Sequence, residues 1–94
     1  MNVRVVHCKR EPFDVYIGRP SKWGNPFALP KDIDDAVFER TLRADLLVKY
    51  EMWLRKQPHL MASLHELRGK VLGCWCAPKL CHGLVLAKLA DEDQ

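Results

Sequence analysis

The sequence predicts a small α/β domain with the element order β-β-loop-α-α-β-α and a mostly parallel three-stranded sheet. Three observations lead there. Two β-branched, apolar runs stand near the N-terminus, VRVVH at 3–7 and FDVYIG at 13–18, and a third, KVLGCW, stands at 70–75. Between the second and third runs lies a long stretch whose apolar residues recur at three- and four-residue steps, the period of a helix packed by one face. A crossover of that kind is right-handed and leaves the two strands it joins parallel.

The elements follow in order. The first strand gives way to Cys8-Lys9-Arg10 and the breaker pair Glu11-Pro12. The second strand should place Phe13, Val15 and Ile17 on one face and Asp14 and Tyr16 on the other, the latter two without an assigned role. The segment RPSKWGNPFALP, 19–30, contains three prolines and a Gly24-Asn25 pair, which rule out a regular element. Loops this long in a small domain are usually functional or disordered, and Trp23 and Phe27 argue for packing.

A helix is predicted from Asp34 to Lys56, with Leu42, Leu46, Leu47, Tyr50, Trp53 and Leu54 as its apolar stripe; Arg43 is expected to face solvent, with the pocket as the alternative within its reach. Asp34 and Asp35 in the first turn, and Arg55 and Lys56 in the last, agree with the helix dipole. Gln57-Pro58 stops it. A second helix over 59–68 turns Leu60, Leu64 and Leu67 inward and ends at Gly69. The third strand, Lys70 to Trp75, precedes a last helix from Leu80 to Asp91 with Leu84, Val85 and Leu89 on its buried side. The terminal DEDQ is expected to fray.

The bulk numbers exclude several classes. Ninety-four residues make one domain, 48% hydrophobic and 29% charged, with a net charge of +3. That charge is compatible with a phosphate-bearing partner, nucleic acid included, without requiring one. No apolar run approaches the ~20 residues of a membrane span, and no secretory signal opens the chain, so a cytoplasmic location is expected. In that setting the four cysteines are expected as thiols with metal or catalytic roles rather than as disulfides. Oligomeric state is not legible.

The chemistry concentrates in KVLGCWCAPKLCHG, 70–83. Three readings of it compete. Cys74, Cys76 and Cys81 with His82, or with the distant Cys8, supply the donor types of tetrahedral zinc. The C-x-C-x4-C-H spacing departs from the usual zinc knuckle. Alternatively Cys76, Cys81 and His82 form a thiol/imidazole site, Cys81 standing at a helix start whose free N–H groups favour a thiolate or an anion. In the third reading the cysteines are small buried hydrophobes, as fits Cys74 best.

The loop at 19–30 offers a second set. Arg19, Lys22 and Asn25 can hold phosphate or sugar, Gly18 and Gly24 permit close backbone approach, and Trp23 either stacks on a base or plugs the core with Phe27. With the second and third strands parallel, ligands belong at their carboxyl ends, which are Gly18-Arg19 and Trp75-Cys76. The loop and the cysteine turn should therefore meet.

The strings GRPSKWGNPF and CWC-APKLCHG resemble a family of small bacterial and phage domains of unknown function marked by a CWC motif, over nearly the whole chain. That resemblance implies no particular activity, but phage relatives suggest a role in nucleic-acid metabolism or against host defence. More distantly, the strand-cysteine-loop-CH arrangement is similar to an α/β family ending in "CaE…CHR", which implies a Rossmann-like fold with the Cys-His pair opening a helix. Here Gly83 replaces that arginine and Trp75-Cys76 the acidic position. The resulting expectation is a domain binding a nucleotide or nucleotide-derived molecule, with no metal cofactor. The alternative is a zinc-stabilised module contacting DNA or a protein.

Overall fold

The apolar run near the C-terminus supplies the middle of the sheet. A computed structural model describes residues 3–30, 32–77 and 79–92. Strand β1 spans Arg4–His7, β2 Val15–Tyr16 and β3 Val71–Cys74, in the spatial order β1-β3-β2 with both pairings parallel. A central parallel strand is covered on both faces, which is why Leu72-Gly73-Cys74 is buried throughout.

Register decides the two faces. Val5 and Val15 both pair with Leu72, so these three point one way, with Cys74 and Ile17 two residues further along. Helix α3, His82–Glu92, lies on this face. Its Gly83 is seated so closely that a Cβ there would stand 2.8 Å from Val5 Cγ1 and 2.9 Å from Ile17 Cδ1. On the opposite face the ring of Phe13 covers Gly73, where a Cβ would fall 2.5 Å from Phe13 Cγ. Phe13 therefore does not share a face with Val15 and Ile17 as the alternation predicts.

The cause is that regular pairing in the second strand is confined to Val15–Tyr16. Just before it, the Asp14 carboxylate accepts the Val71 N–H at 2.8 Å, while the Asp14 N–H donates to Val71 O at 2.7 Å. A side chain thus replaces one rung of the ladder and frees Phe13 from the strand's alternation.

Helix α1, Ala36–Arg55, is capped by Asp35, whose carboxylate accepts from Val37 N and Phe38 N. Only Tyr50 and Leu54 of its predicted stripe are fully buried; Leu46 and Leu47 line a pocket instead. The predicted second helix is α2, Pro58–Ser63, followed by a tighter 3₁₀ turn, Leu64–Leu67, which brings both Leu64 and Leu67 into the core. Gly69 ends it at φ 69°.

Helix α3 buries Val85, Leu86, Leu89 and Ala90, whereas Leu84, predicted inside, is 46% exposed. The buried set follows the i, i+3, i+4, i+7 rule counted from His82, and position 84 falls outside it. Of the terminal DEDQ, positions 93–94 lie outside the described residues, and Asp91 and Glu92 still belong to α3. No helix among the described residues is long and apolar enough to cross a membrane.

Candidate functional site

Parallel pairing of β2 with β3 delivers two connections to the same edge of the sheet, the loop after Tyr16 and the turn after Cys74. A pocket of about 350 Å³ lies between them, within the size range of small-molecule sites. The loop contributes Gly18, Arg19, Asn25 and Phe27, the turn contributes Trp75 and Cys76, and the start of α3 contributes Cys81 and His82. Helix α1 closes the side with Arg43, Leu46 and Leu47. Two guanidinium groups line this space, and no carboxylate is among its described lining residues.

The cysteines form the floor. The sulfurs of Cys74, Cys76 and Cys81 lie within 4.8 Å of one another, close enough to hold a metal ion. Those of Cys74 and Cys81 are in direct contact, at disulfide range, although their Cα atoms are 7.8 Å apart, wider than the ~4.4–6.8 Å usual for a disulfide. Backbone N–H groups point at two of the sulfurs. Cys76 N donates to Cys74 Sγ at 3.3 Å, and Gly83 N donates to Cys81 Sγ at 3.4 Å. Cys8, at the end of β1, is outside this group.

His82 is buried beside them. Its Nε2 lies 2.8 Å from the Ile17 carbonyl and its Nδ1 3.6 Å from Cys81 Sγ. A carbonyl only accepts, so Nε2 carries the proton and Nδ1 turns a lone pair toward the sulfur. Burial pushes the imidazole below its ordinary pKa; the bond to Ile17 opposes this, and the charge of Arg19 adds to it. The ring is also held edge-on to Tyr50, 5.0 Å between centroids. The result is a neutral imidazole of fixed tautomer against the Cys81 sulfur, an arrangement able to accept that sulfur's proton once it is reduced and free of Cys74, or to support a metal-bound sulfur.

Of the two places open to Arg43, solvent and the pocket, its side chain takes the second and is only 17% exposed. Its Nε donates to Glu39 at 2.9 Å and its Nη1 to Leu80 O at 3.3 Å. Partial burial opposes its charge, yet the interactions with Glu39 and with Cys76 outweigh burial and leave its pKa raised. The hydrogen bonds to Glu39 and Leu80 use two of its five N–H donors, and the side chain also lines the pocket. Glu39 also takes Lys79 at 3.2 Å, which ties α1 to the cysteine turn.

Tyr16 and Trp75, neither assigned a role from sequence, form the rim. Trp75 Nε1 donates to Tyr16 Oη at 2.9 Å, and Tyr16 Oη donates to the Arg19 carbonyl at 3.1 Å. This chain fixes the loop against the cysteine turn. Only the strand register brings residues 16 and 75 together, so the linear order offers no signal for the pair. For Arg43 a signal existed: it is one turn from Glu39 and from Leu46-Leu47, on the side of the helix facing the sheet edge.

Three of the expected ligand contacts lie elsewhere. Trp23 is 2% exposed, part of the core, and cannot stack on a ligand in the pocket. Lys22 pairs with Glu66 at 3.0 Å and lies over the Trp23 ring, away from the pocket lining. Gly24 does not line it either; a Cβ there would stand 3.0 Å from Arg19 Cγ, so its small size lets the loop fold back on Arg19. Arg19, Asn25, Cys76, Cys81 and His82 do line it. Asn25 Oδ1 accepts the Phe27 N–H at 2.9 Å and so shapes the loop, leaving its amide NH₂ for other partners.

No solved structure matches this chain. It is 33% identical over 89 residues to an "Uncharacterized 12.4 kDa protein in nrdA-td intergenic region" of Enterobacteria phage T4, a match covering 95% of this chain and 78% of the phage protein. The family described as "Domain of unknown function (DUF4326)" matches residues 2–92, nearly all of the fold and every residue of the pocket, and the chain belongs to that family.

Proposed function

We propose that the protein binds a small anionic ligand with an aromatic part, of the nucleotide or nucleotide-derived class, in the pocket between the two loops. One observation carries this reading: an apolar pocket of about 350 Å³ presents Arg19 and Arg43 and no lining carboxylate among the described residues. Glu39, outside the lining, is shared by Arg43 and Lys79, so with Arg19 the cleft keeps an excess of positive charge that favours an anion, and guanidinium suits the planar, bidentate geometry of phosphate. Trp75, Tyr16 and Phe27 supply flat surfaces for a base. Cys81-His82, with Cys76 beside them, is the group that would act on a bound ligand as thiol and base.

A site at the carboxyl ends of parallel strands is the position used by Rossmann-like folds, to which we assign this sheet. The phage relative is in keeping with a cytoplasmic role in phage nucleic-acid metabolism or counter-defence. A thermal-shift panel of nucleotides, nucleobases and ADP-ribose derivatives tests the reading. A ligand present at 100 times its Kd adds about 2.7 kcal/mol to native stability. A specific shift that is lost in Arg43→Met and kept in Lys22→Ala supports it, and a panel without any shift refutes it.

A second reading is favoured by the three gathered thiols: a zinc-stabilised module contacting DNA or a protein through its basic surface. Here a chelator would unfold the domain, and elemental analysis would find stoichiometric zinc.

A further inference from the structure

We infer that Cys74, Cys76 and Cys81 form a three-thiolate site for a zinc-like divalent cation whose fourth coordination position opens into the pocket. This goes beyond a structural zinc, because it makes the metal a contact for whatever the pocket holds. It rests on the same cavity as the ligand reading above but not on the ligand's being a nucleotide.

Four observations converge on it. The three sulfurs lie within 4.8 Å of one another; bonds of ~2.3 Å at tetrahedral angles would set them about 3.8 Å apart, so a cation enters by parting the Cys74 and Cys81 sulfurs from direct contact in the reduced protein. The 7.8 Å between the Cα atoms of Cys74 and Cys81 is spanned more readily by two such metal bonds than by one S–S bond of ~2.05 Å. The N–H groups of Cys76 and Gly83 already point at Cys74 and Cys81 sulfurs; outer hydrogen bonds of this kind orient and stabilise metal thiolates. Finally, all three cysteines line the pocket, so a cation on them would not be sealed in the core.

Three protein ligands and one open position is the pattern of zinc sites that engage a ligand, whereas structural sites are closed by four. The fourth thiol, Cys8, is outside the group, and His82 Nδ1 stands against Cys81 Sγ alone. A divalent cation with three thiolates carries one net negative charge, and Arg43, which lines the same pocket as Cys76, offsets it. Binding releases the thiol protons, so uptake of metal acidifies a weakly buffered solution.

The experiment uses reduced, full-length protein and metal alone. Zinc titration should reach one equivalent, and cobalt(II) should give thiolate charge-transfer absorption. With zinc bound, alkylation followed by intact mass should modify one of the four cysteines, Cys8, with the other three becoming reactive after chelation. Cys76→Ser, at the half-buried member, should weaken cobalt binding beyond the ~10–100-fold expected for loss of an outer contact, while Cys8→Ser leaves affinity and spectrum unchanged. Azide added to the cobalt protein should shift its visible bands by entering the open position.

Absence of stoichiometric metal, or protection of fewer than three thiols, overturns the site. A cobalt spectrum indifferent to azide in the wild type but responsive in His82→Ala shows His82 as fourth ligand and overturns the open position. Metal bound as expected, alongside a nucleotide panel without a hit, leaves this inference standing and removes the nucleotide reading.

Discussion

Trp23 and Trp75 occupy comparable points in the fold, each a short way past the carboxyl end of a strand, and the protein uses them in opposite ways. Trp23 is 2% exposed, and its backbone carbonyl accepts the Tyr50 hydroxyl at 2.7 Å, which anchors the loop to α1. Trp75 is 55% exposed; its ring meets His7 edge-on at 5.7 Å, lies under Lys9 at 5.5 Å, and its N–H holds Tyr16. Hydrophobicity does not separate them. Strand parity does, because Cys74 points into the core and the next residue must point away. After β2 the chain instead dips through buried Ile17 and Gly18 and carries Trp23 inward. One tryptophan holds the loop in place; the other faces whatever enters.

Truncating each ring should produce different losses. Trp23→Ala is expected to destabilise the fold by about 3–5 kcal/mol in urea unfolding, the range for buried aromatic deletions. A loss under about 1 kcal/mol would mean that the ring is not part of the core. The contrast sharpens with Tyr50→Phe, which leaves the Trp23 carbonyl without its donor and should cost about 1–3 kcal/mol. Burial has pushed the Tyr50 pKa upward, in keeping with a hydroxyl that stays protonated and donating.

On the far face of the sheet, Gly73→Ala should cost about 1–3 kcal/mol by overpacking against Phe13. Adding Phe13→Ala should recover part of that loss. If the double variant is no more stable than Gly73→Ala, the Phe13 ring is not what fills that space.

Trp75→Ala should cost only about 1 kcal/mol of stability, the scale of the lost hydrogen bond to Tyr16, while abolishing the thermal shift given by any ligand of the pocket. Equal losses from Trp23→Ala and Trp75→Ala would erase the comparison.

The smallest effect is expected at Glu39. Its carboxylate is held below its ordinary pKa by Arg43 first and Lys79 second. A depressed carboxylate pKa contributes stability above the unfolded value of 4.5, and that contribution fades as pH falls through the lower folded value. Glu39→Gln should therefore lower stability slightly at pH 7, where the carboxylate is ionised, and flatten the acid limb of the stability curve, the difference from wild type closing as pH falls.

Much of this was legible beforehand for identifiable reasons. The meeting of the 19–30 loop with the cysteine turn follows from one topological rule applied to the second and third strands. Cys76, Cys81, His82, Arg19 and Asn25 were placed together by it, without knowledge of a single distance. Lys22, Trp23 and Gly24 were drawn in by proximity along the chain, and a loop of this length has room for both a core anchor and a site wall. Which residue does which depends on where the chain crosses α1, and no local pattern records that.

The linear chain by itself determined the kind and order of the elements, the parallel pairing of the second and third strands and the edge at which their two loops meet, because periodicity and breakers act locally and the handedness of a crossover is a general rule. Only the tertiary structure decided which side chains share that edge. Register set Tyr16 beside Trp75 and Phe13 over Gly73, the seating of α1 brought Arg43 to the Leu80 carbonyl, and the turn before α3 drew Cys81 back to Cys74. Each is a contact between distant residues, fixed by how surfaces fit once the helices are seated.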